Sequence, residues 1–171
     1  VLFRSKAPLS KRILITAGPT HEAIDPVRFI GNHSSGKMGF ELAESCLALG
    51  HHVVLISGPT TFRLTHPNLE LIHVQSALDM LQAVQSNWAT CQVGIFSAAV
   101  ADYRTEQVAD QKIKKNDEVL QLTLVKNPDI LSWASQHRDS HQKVVGFALE
   151  TNNAKENVLD KLVRKNLDFI V

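Results

Sequence analysis

Short apolar runs alternate with amphipathic stretches along the chain, regularly enough to predict an order of elements. Arg12-Ile13-Leu14-Ile15-Thr16 is a β-branched run stopped by Ala17-Gly18-Pro19, which reads as a buried strand with an abrupt end. From Ser35 to Leu49 apolar residues recur at helical spacing through Met38, Leu42, Cys46 and Leu49. Ser34 or Ser35 is available as the cap and Gly50 as the stop. Val53-Val54-Leu55-Ile56 follows and completes a strand–helix–strand unit of the kind that builds parallel sheets. The rhythm repeats with a strand over Leu69 to Val74, a Ser76-capped helix to about Trp88, and a strand over Val93 to Phe96.

Past Ala98 the pattern changes. A polar segment, Asp102 to Asp117, leads into the alternating Val119 to Val125, which predicts an antiparallel or flap excursion around residues 103–125. A helix from about Pro128 to Gln136, a strand over Val144 to Phe147, a helix over Ala154 to Lys165 and a strand over Asp168 to Val171 complete the order. The fold class that results is α/β: a Rossmann-like open, mainly parallel sheet with helices on both faces. Residues 1–10 read as an N-terminal tail or linker and 11–171 as one domain. The chain stops at its last strand, so the domain is expected to be C-terminally truncated.

Composition narrows the partners. Eighteen Lys and Arg against seventeen Asp and Glu leave a formal charge of +1, too little to hold nucleic acid or an acidic membrane through a global field. No apolar stretch approaches the roughly 18 residues of a membrane span. Cys46 and Cys91 lie in apolar contexts far apart, without a basic neighbour in sequence. They read as two buried thiols of a reducing, cytoplasmic setting rather than as nucleophiles or a disulfide.

Candidate chemistry gathers in loops that follow predicted strands, where open α/β sheets collect ligands. The connection from Ala17 to Ser34 is longer than the roughly 2–6 residues of an ordinary βα loop. It contains Arg28 and Asn32 and ends in Ser34-Ser35-Gly36-Lys37. Gly31 to Lys37 matches the phosphate-loop spacing, but Met38 stands where a Mg²⁺-binding hydroxyl belongs, and no strand leads directly into the loop. Two readings stay open: free N–H groups at a helix start that cradle an anion beside Lys37, or a capped helix whose glycines serve packing. No G-x-G-x-x-G follows the first strand, which disfavours a nicotinamide oxidoreductase.

Ser97-Ala98-Ala99-Val100-Ala101-Asp102-Tyr103 is a second strand-end loop of small residues with one carboxylate, which either takes a ligand hydroxyl or metal or only caps a turn. Lys112 lies in the basic cluster Lys112-Ile113-Lys114-Lys115, either a solvated surface or a flap over phosphates. Asn127-Pro128-Asp129-Ile130 is a strand-to-helix turn with Asn127 as expected cap and Pro128 as first helical residue. Phe147 ends a strand, and Lys161 and Lys165, four apart, share a helix face that faces either solvent or a triphosphate. His137 and His141 have metal-like spacing but lack the acidic residue of a zinc-protease helix.

Taken together, several segments resemble the bacterial phosphopantothenate-cysteine ligases. They are Ile15-Thr16-Ala17-Gly18-Pro19-Thr20, Ile24-Asp25-Pro26-Val27-Arg28-Phe29-Ile30, Asn32-His33-Ser34-Ser35-Gly36-Lys37-Met38-Gly39, Ala98-Ala99-Val100-Ala101-Asp102-Tyr103, Lys112-Ile113-Lys114-Lys115, Lys126-Asn127-Pro128-Asp129-Ile130, Gly146-Phe147-Ala148-Leu149-Glu150-Thr151 and Arg164-Lys165-Asn166-Leu167-Asp168. The likeness runs from Lys11 to Val171. It implies a two-step ligation in coenzyme A biosynthesis. The carboxylate of 4′-phosphopantothenate attacks the α-phosphate of CTP, with Mg²⁺ present, and the amine of cysteine then displaces CMP. By the same resemblance Asn32, Arg28 and Lys112 are catalytic. The nucleotide lies over Phe96, Ser97, Ala98, Asp102, Asn127 to Ile130, Phe147, Lys161 and Lys165, with Lys112 closing over it. Metal ligands are left unassigned. The resemblance further implies a homodimer, with the Lys112 flap reaching the partner subunit, and a natural fusion to a flavin-dependent decarboxylase. A nucleotide-binding module without turnover is the rival reading.

Overall fold

The computed structural model describes residues 9–114, 119–148 and 160–171. The expected tail up to Pro8, Lys115, the Leu149-Glu150-Thr151 end of one motif and the expected helix start at Ala154 lie outside them.

Six parallel strands make the sheet: β1 (Arg12–Ala17), β4 (His52–Ser57), β5 (Leu69–His73), β6 (Val93–Phe96), β9 (Lys143–Gly146) and β10 (Phe169–Ile170). Their spatial order is β10-β9-β6-β1-β4-β5. Counted among the six alone this is 3-2-1-4-5-6, the doubly wound order of nucleotide-binding sheets, with its switch point between β1 and β6. Two short antiparallel pairs lie outside the sheet: β2 (His21–Ala23) with β3 (Phe29–Gly31), and β7 (Tyr103–Thr105) with β8 (Leu124–Lys126). The second pair is the expected excursion; among its described residues only the two ends are hydrogen-bonded as strands.

Strand alternation divides the core into two layers. Ile13, Ile15 and Ala17 of β1, with Val53 and Leu55 of β4, pack against Phe40, Ala43 and Leu47 of helix α1 (Lys37–Ala48). Leu14, Val54, Ile56 and Phe96 point the other way, against Met80, Val84 and Trp88 of α2 (Ala77–Trp88) and Ile130, Leu131 and Ala134 of α3 (Ile130–Gln136). Gly94 leaves room for the Trp88 ring; a Cβ there would lie 2.7 Å from it. The Trp88 indole N–H is satisfied by the Ala134 carbonyl at 3.0 Å, tying α2 to α3.

Local signals set several boundaries. Ser76 and Asp79 form the reciprocal capping box at the start of α2. α1 ends in a Schellman motif: Gly50 at φ +81° donates to the Leu47 carbonyl at 2.9 Å and His51 to that of Cys46 at 3.1 Å.

Four expectations are corrected. The buried face of α1 is Gly39, Phe40, Ala43 and Leu47, whereas Met38 and Leu49 are more than half exposed. The helix is rotated so that its glycine, not its methionine, meets β1. Its N-cap is Gly36 at φ +82°, without a side-chain cap bond; Ser34 and Ser35 accept only long 3.3 Å bonds from the N–H groups two residues on. At α3 the cap is Asp129, which accepts from Ser132 N at 2.9 Å, and Pro128 precedes the helix. Asn127 is recruited elsewhere.

A candidate nucleotide cleft at the switch point

The carboxyl ends of β1, β6 and β9 border a cleft of about 420 Å³, within the size range of small-molecule sites. Thr16, Phe96, Ala98 and Phe147 come from strand ends, Met80 from α2, and Asn127 to Leu131 from the turn into α3. Lys161 and Lys165 close one side. Of the residues expected at a nucleotide, the cleft gathers Phe96, Ala98, Asp102, Asn127, Pro128, Asp129, Ile130, Phe147, Lys161 and Lys165.

Ser97 is not among the lining residues. It comes directly after Phe96, the last residue of β6, and lies towards the other face, where a Cβ on Gly39 would lie 3.0 Å from its Oγ; its hydroxyl donates to the Thr16 carbonyl at 2.7 Å. Lys112 is exposed and outside the cleft. Sequence reasoning did not assign Thr16, Met80 or Leu131 to the site; Val100, Ala101 and Lys126 fall within the strand-end segments it singled out, without being named at the nucleotide. Thr16 and Lys126 sit at strand ends, the one signal that could have flagged them, whereas Met80 arrives only by packing of α2.

Asn127 joins the two walls. Its Nδ2 donates to the Ala101 carbonyl at 2.8 Å, its backbone N–H to the Asp102 carbonyl at 2.8 Å, and its Oδ1 accepts from Arg104 at 3.3 Å. The loop after β6 runs beside the turn after β1. Ala99 N donates to the Gly18 carbonyl at 2.9 Å and Ala101 N to Thr20 Oγ1 at 3.0 Å, so backbone borders the cleft closely.

The two lysines are held rather than loose. Lys161 Nζ donates to the Phe147 carbonyl at 2.8 Å, and Lys165 Nζ pairs with Asp129 at 2.8 Å. Residues 160–164 are helical, and Asn166 at φ +49° ends the turn, its N–H on the Val163 carbonyl and that of Leu167 on Leu162. Burial opposes ionisation of Asp129, but Lys165 and the Ser132 N–H outweigh it and hold its carboxyl below the ordinary value.

The long loop after β1 is ordered as the β2–β3 pair. Arg28 is ion-paired with the buried Asp25 carboxylate and donates to the Ile113 carbonyl at 3.2 Å. The Arg28 guanidinium, with backbone N–H groups of Val27, Ile113 and Arg28, overcomes burial and holds Asp25 far below the ordinary carboxyl range. Asn32 Nδ2 donates to the Val100 carbonyl at 3.1 Å and, at 3.4 Å, to that of Ala99. The start of α1, Ser34 to Lys37, is on the opposite side of β1 from the cleft. Gly36 rests against Gly18, and Thr60 Oγ1 donates to the Ser35 carbonyl at 2.7 Å.

Among the described residues no group of three or more His, Cys, Asp or Glu is placed to hold a metal. Of the two cleft carboxylates Asp129 is taken by Lys165, which leaves Asp102. That donor set suits an ion that arrives on phosphates rather than a resident metal. Both thiols are raised by burial; Cys91 does meet a base in the fold, Arg12, but desolvation outweighs it, so neither thiol is activated. His137 stacks on Trp133 at 4.3 Å.

The model of the family described as DNA/pantothenate metabolism flavoprotein C-terminal domain matches residues 9–171. The chain belongs to that family. It is 49% identical to the coenzyme A biosynthesis bifunctional protein CoaBC of Vibrio cholerae over 170 residues, 98% of this chain and 42% of that protein. To CoaBC of Haemophilus influenzae it is 51% identical over 159 residues, 92% of this chain and 39% of that protein. The chain thus spans about two fifths of the length of these curated relatives. A crystal structure of the CoaBC C-terminal domain superposes with a TM-score of 0.85 at 44% identity, covering 98% of this chain and 79% of that one. The flavoprotein C-terminal domain family therefore accounts for the six-stranded parallel sheet and its small antiparallel pairs.

No helix of the described residues is long and apolar enough to cross a membrane.

Proposed function

We propose that this member of the flavoprotein C-terminal domain family acts as a phosphopantothenate-cysteine ligase in coenzyme A biosynthesis. It uses CTP to activate 4′-phosphopantothenate as an acyl-cytidylate and transfers the acyl group to L-cysteine, releasing pyrophosphate and CMP. The observation that carries this reading is the switch-point cleft, with an apolar strand-end wall for a flat base and Lys161 and Lys165 together on one side.

The chemistry asks for what these residues offer. A carboxylate and a triphosphate repel each other, so the first step needs cations, and Lys161 and Lys165 supply them at the cleft. Lys165 exchanges its Asp129 partner for phosphate oxygen without losing a charge-assisted bond. Asp102, the available carboxylate, would hold a Mg²⁺ ion arriving with the nucleotide, which would supply charge neutralisation at the phosphates. In the second step negative charge grows on the acyl oxygen. The long 3.4 Å contact of Asn32 Nδ2 with Ala99 leaves one of its N–H groups able to turn towards that oxygen. Arg28 lies on the same loop as Asn32. Lys112, exposed on its own segment, serves a site outside this cleft, that of the neighbouring subunit in a homodimer. The natural protein, a cytoplasmic enzyme, carries a flavin-dependent decarboxylase alongside this domain.

Pyrophosphate release from CTP and phosphopantothenate, with and without cysteine, tests the reading. The expected result is cysteine-independent pyrophosphate and cysteine-dependent CMP. Absence of both overturns the ligase assignment, and equal or better turnover with ATP overturns the choice of base.

A further inference from the structure

Asp25 binds more of the molecule together than a loop residue needs to. Its carboxylate is buried, at 2% exposure. Oδ1 accepts the backbone N–H groups of Val27 and Arg28, each at 2.9 Å, and so closes its own turn. Oδ2 takes partners of a different kind: Arg28 Nε at 3.0 Å, the Arg28 Nη2 ion pair, and the backbone N–H of Ile113 at 3.1 Å, 88 residues away. Arg28 Nη2 then donates to the Ile113 carbonyl at 3.2 Å. Both backbone polar groups of Ile113 therefore end on the Asp25–Arg28 pair.

Residues 106–114 contain no helix or strand, so external ties determine where they run. The preceding stretch has three: Thr105 Oγ1 donates to the Ala23 carbonyl at 2.6 Å, Glu106 N to that of Thr123 at 2.9 Å and Ala109 N to that of Ile24 at 3.0 Å. Ile113 is the tie nearest Lys112, one residue away. A carboxylate that only stabilised a turn would use Oδ1; the use of Oδ2 couples the turn to the segment that presents Lys112.

We propose that Asp25 is a positioning residue for the ligase reaction, acting through Arg28 and the backbone of Ile113 to fix where Lys112 is presented. The catalytic half of this proposal rests on the ligase reading above; the clamp itself rests on geometry alone.

Asp25→Asn in the full chain is the test. The amide keeps the shape, but whichever way it turns, its NH₂ group faces either the two turn N–H groups or the donors of Arg28 and Ile113. Hydrogen exchange of the peptide containing Ile113 is expected to rise on the order of tenfold or more, with β1 and β4 as protected as before. The kcat for pyrophosphate release is expected to fall on the order of tenfold with KM for CTP unchanged, and adding Lys112→Gln is expected to bring much less than its loss in the wild-type background. A turn-stabilising role alone would lower the unfolding midpoint without this kcat-only signature or the non-additivity. Wild-type exchange at Ile113 overturns the clamp. Unchanged kcat, or full additivity with Lys112→Gln, overturns the positioning role. No pyrophosphate from the unmodified chain overturns the ligase reading and the catalytic half with it, while the exchange readout still decides the clamp. Ile113→Pro removes the N–H donor and leaves Asp25 and Arg28 in place. It is expected to reproduce the kcat loss even if Asp25→Asn fails to fold, and retained kcat in that variant overturns the proposal.

Discussion

Gly39→Ala tests how α1 is seated on the sheet. A methyl group at this position would lie 2.3 Å from Ala17 Cβ and 3.0 Å from both Ala17 Cα and Ser97 Oγ. Non-bonded carbons rest at about 3.5–4.0 Å, so helix and strand would have to part by roughly 1.2–1.7 Å. β1 sits between β4 and β6 and has no free side to retreat to. Overpacking of this kind costs about 1–3 kcal/mol. The exchange of Gly for Ala within a helix returns about 0.8–1.0 kcal/mol. With β1 immobile the strain falls in the upper part of its range, and the net loss is about 1–2 kcal/mol. At about 2–4 °C per kcal/mol for a domain of this size, Tm drops by roughly 2–8 °C in a thermal denaturation series. Ala17→Gly removes the opposing methyl. In a double-mutant cycle the pair is expected to be more stable than the sum of the single losses by at least about 0.5 kcal/mol. A Gly39→Ala protein as stable as wild type, or an additive cycle, would refute the close approach.

Other expectations concern the cleft and its anchors. Lys165→Met keeps most of the aliphatic stem but leaves Asp129 without its cation. Stability is expected to fall by about 1 kcal/mol or less and CTP affinity by about tenfold in calorimetric titration, and unchanged affinity would remove Lys165 from the nucleotide site. Asn127→Ala strands the Ala101 carbonyl, and a loss of about 1–3 kcal/mol is expected in urea denaturation; a loss below about 0.5 kcal/mol would show that the tie is dispensable. Acid stability follows from Asp25 and Asp168, both held below their ordinary 3.8. Arg28 does this for Asp25; at Asp168 burial opposes ionisation, but Lys143, the Val144 N–H and Arg138 outweigh it. With folded values depressed, the unfolded chain takes up protons first, so this stability is present above the ordinary carboxyl value and is lost as pH falls through the folded ones. The urea midpoint is therefore expected to decline below about pH 4, less steeply in Asp168→Asn, and a midpoint that rises there contradicts the assignment.

The strands were legible because burial on both faces writes itself as unbroken β-branched runs, as in Ile13 to Ile15 and Val53 to Ile56. The Ser76 cap and the stop at Gly50 were legible because capping is settled within a few residues, whereas the return bond that Asp79 accepts from Ser76 emerged from the structure. Much of the candidate cleft was legible for one topological reason: parallel strands deliver all their carboxyl ends to one edge, so Phe96, Ala98 and Phe147 converge whatever lies between them.

What periodicity could not choose was between equivalent local options. Met38-Leu42-Cys46 and Phe40-Ala43-Leu47 are both helical stripes, and the small space opposite Ala17 selects the turn that carries Gly39. Asn127 and Asp129 are both good caps, and the Ala101 carbonyl claims the first, leaving the helix to the second. Arg28 reads in sequence only as a catalytic residue implied by resemblance, and Lys112 as part of either a solvated surface or a flap over phosphates. The sequence by itself determined the strands and helices that build the parallel sheet and the edge where a ligand would gather, because hydrophobic period is local; the β2–β3 pair inside the long loop it did not show. Only the tertiary structure decided that a buried Asp25 holds Arg28 and takes both polar groups of Ile113 into the same clamp. Partners 88 residues apart meet by folding alone, and no pattern within either segment specifies the other.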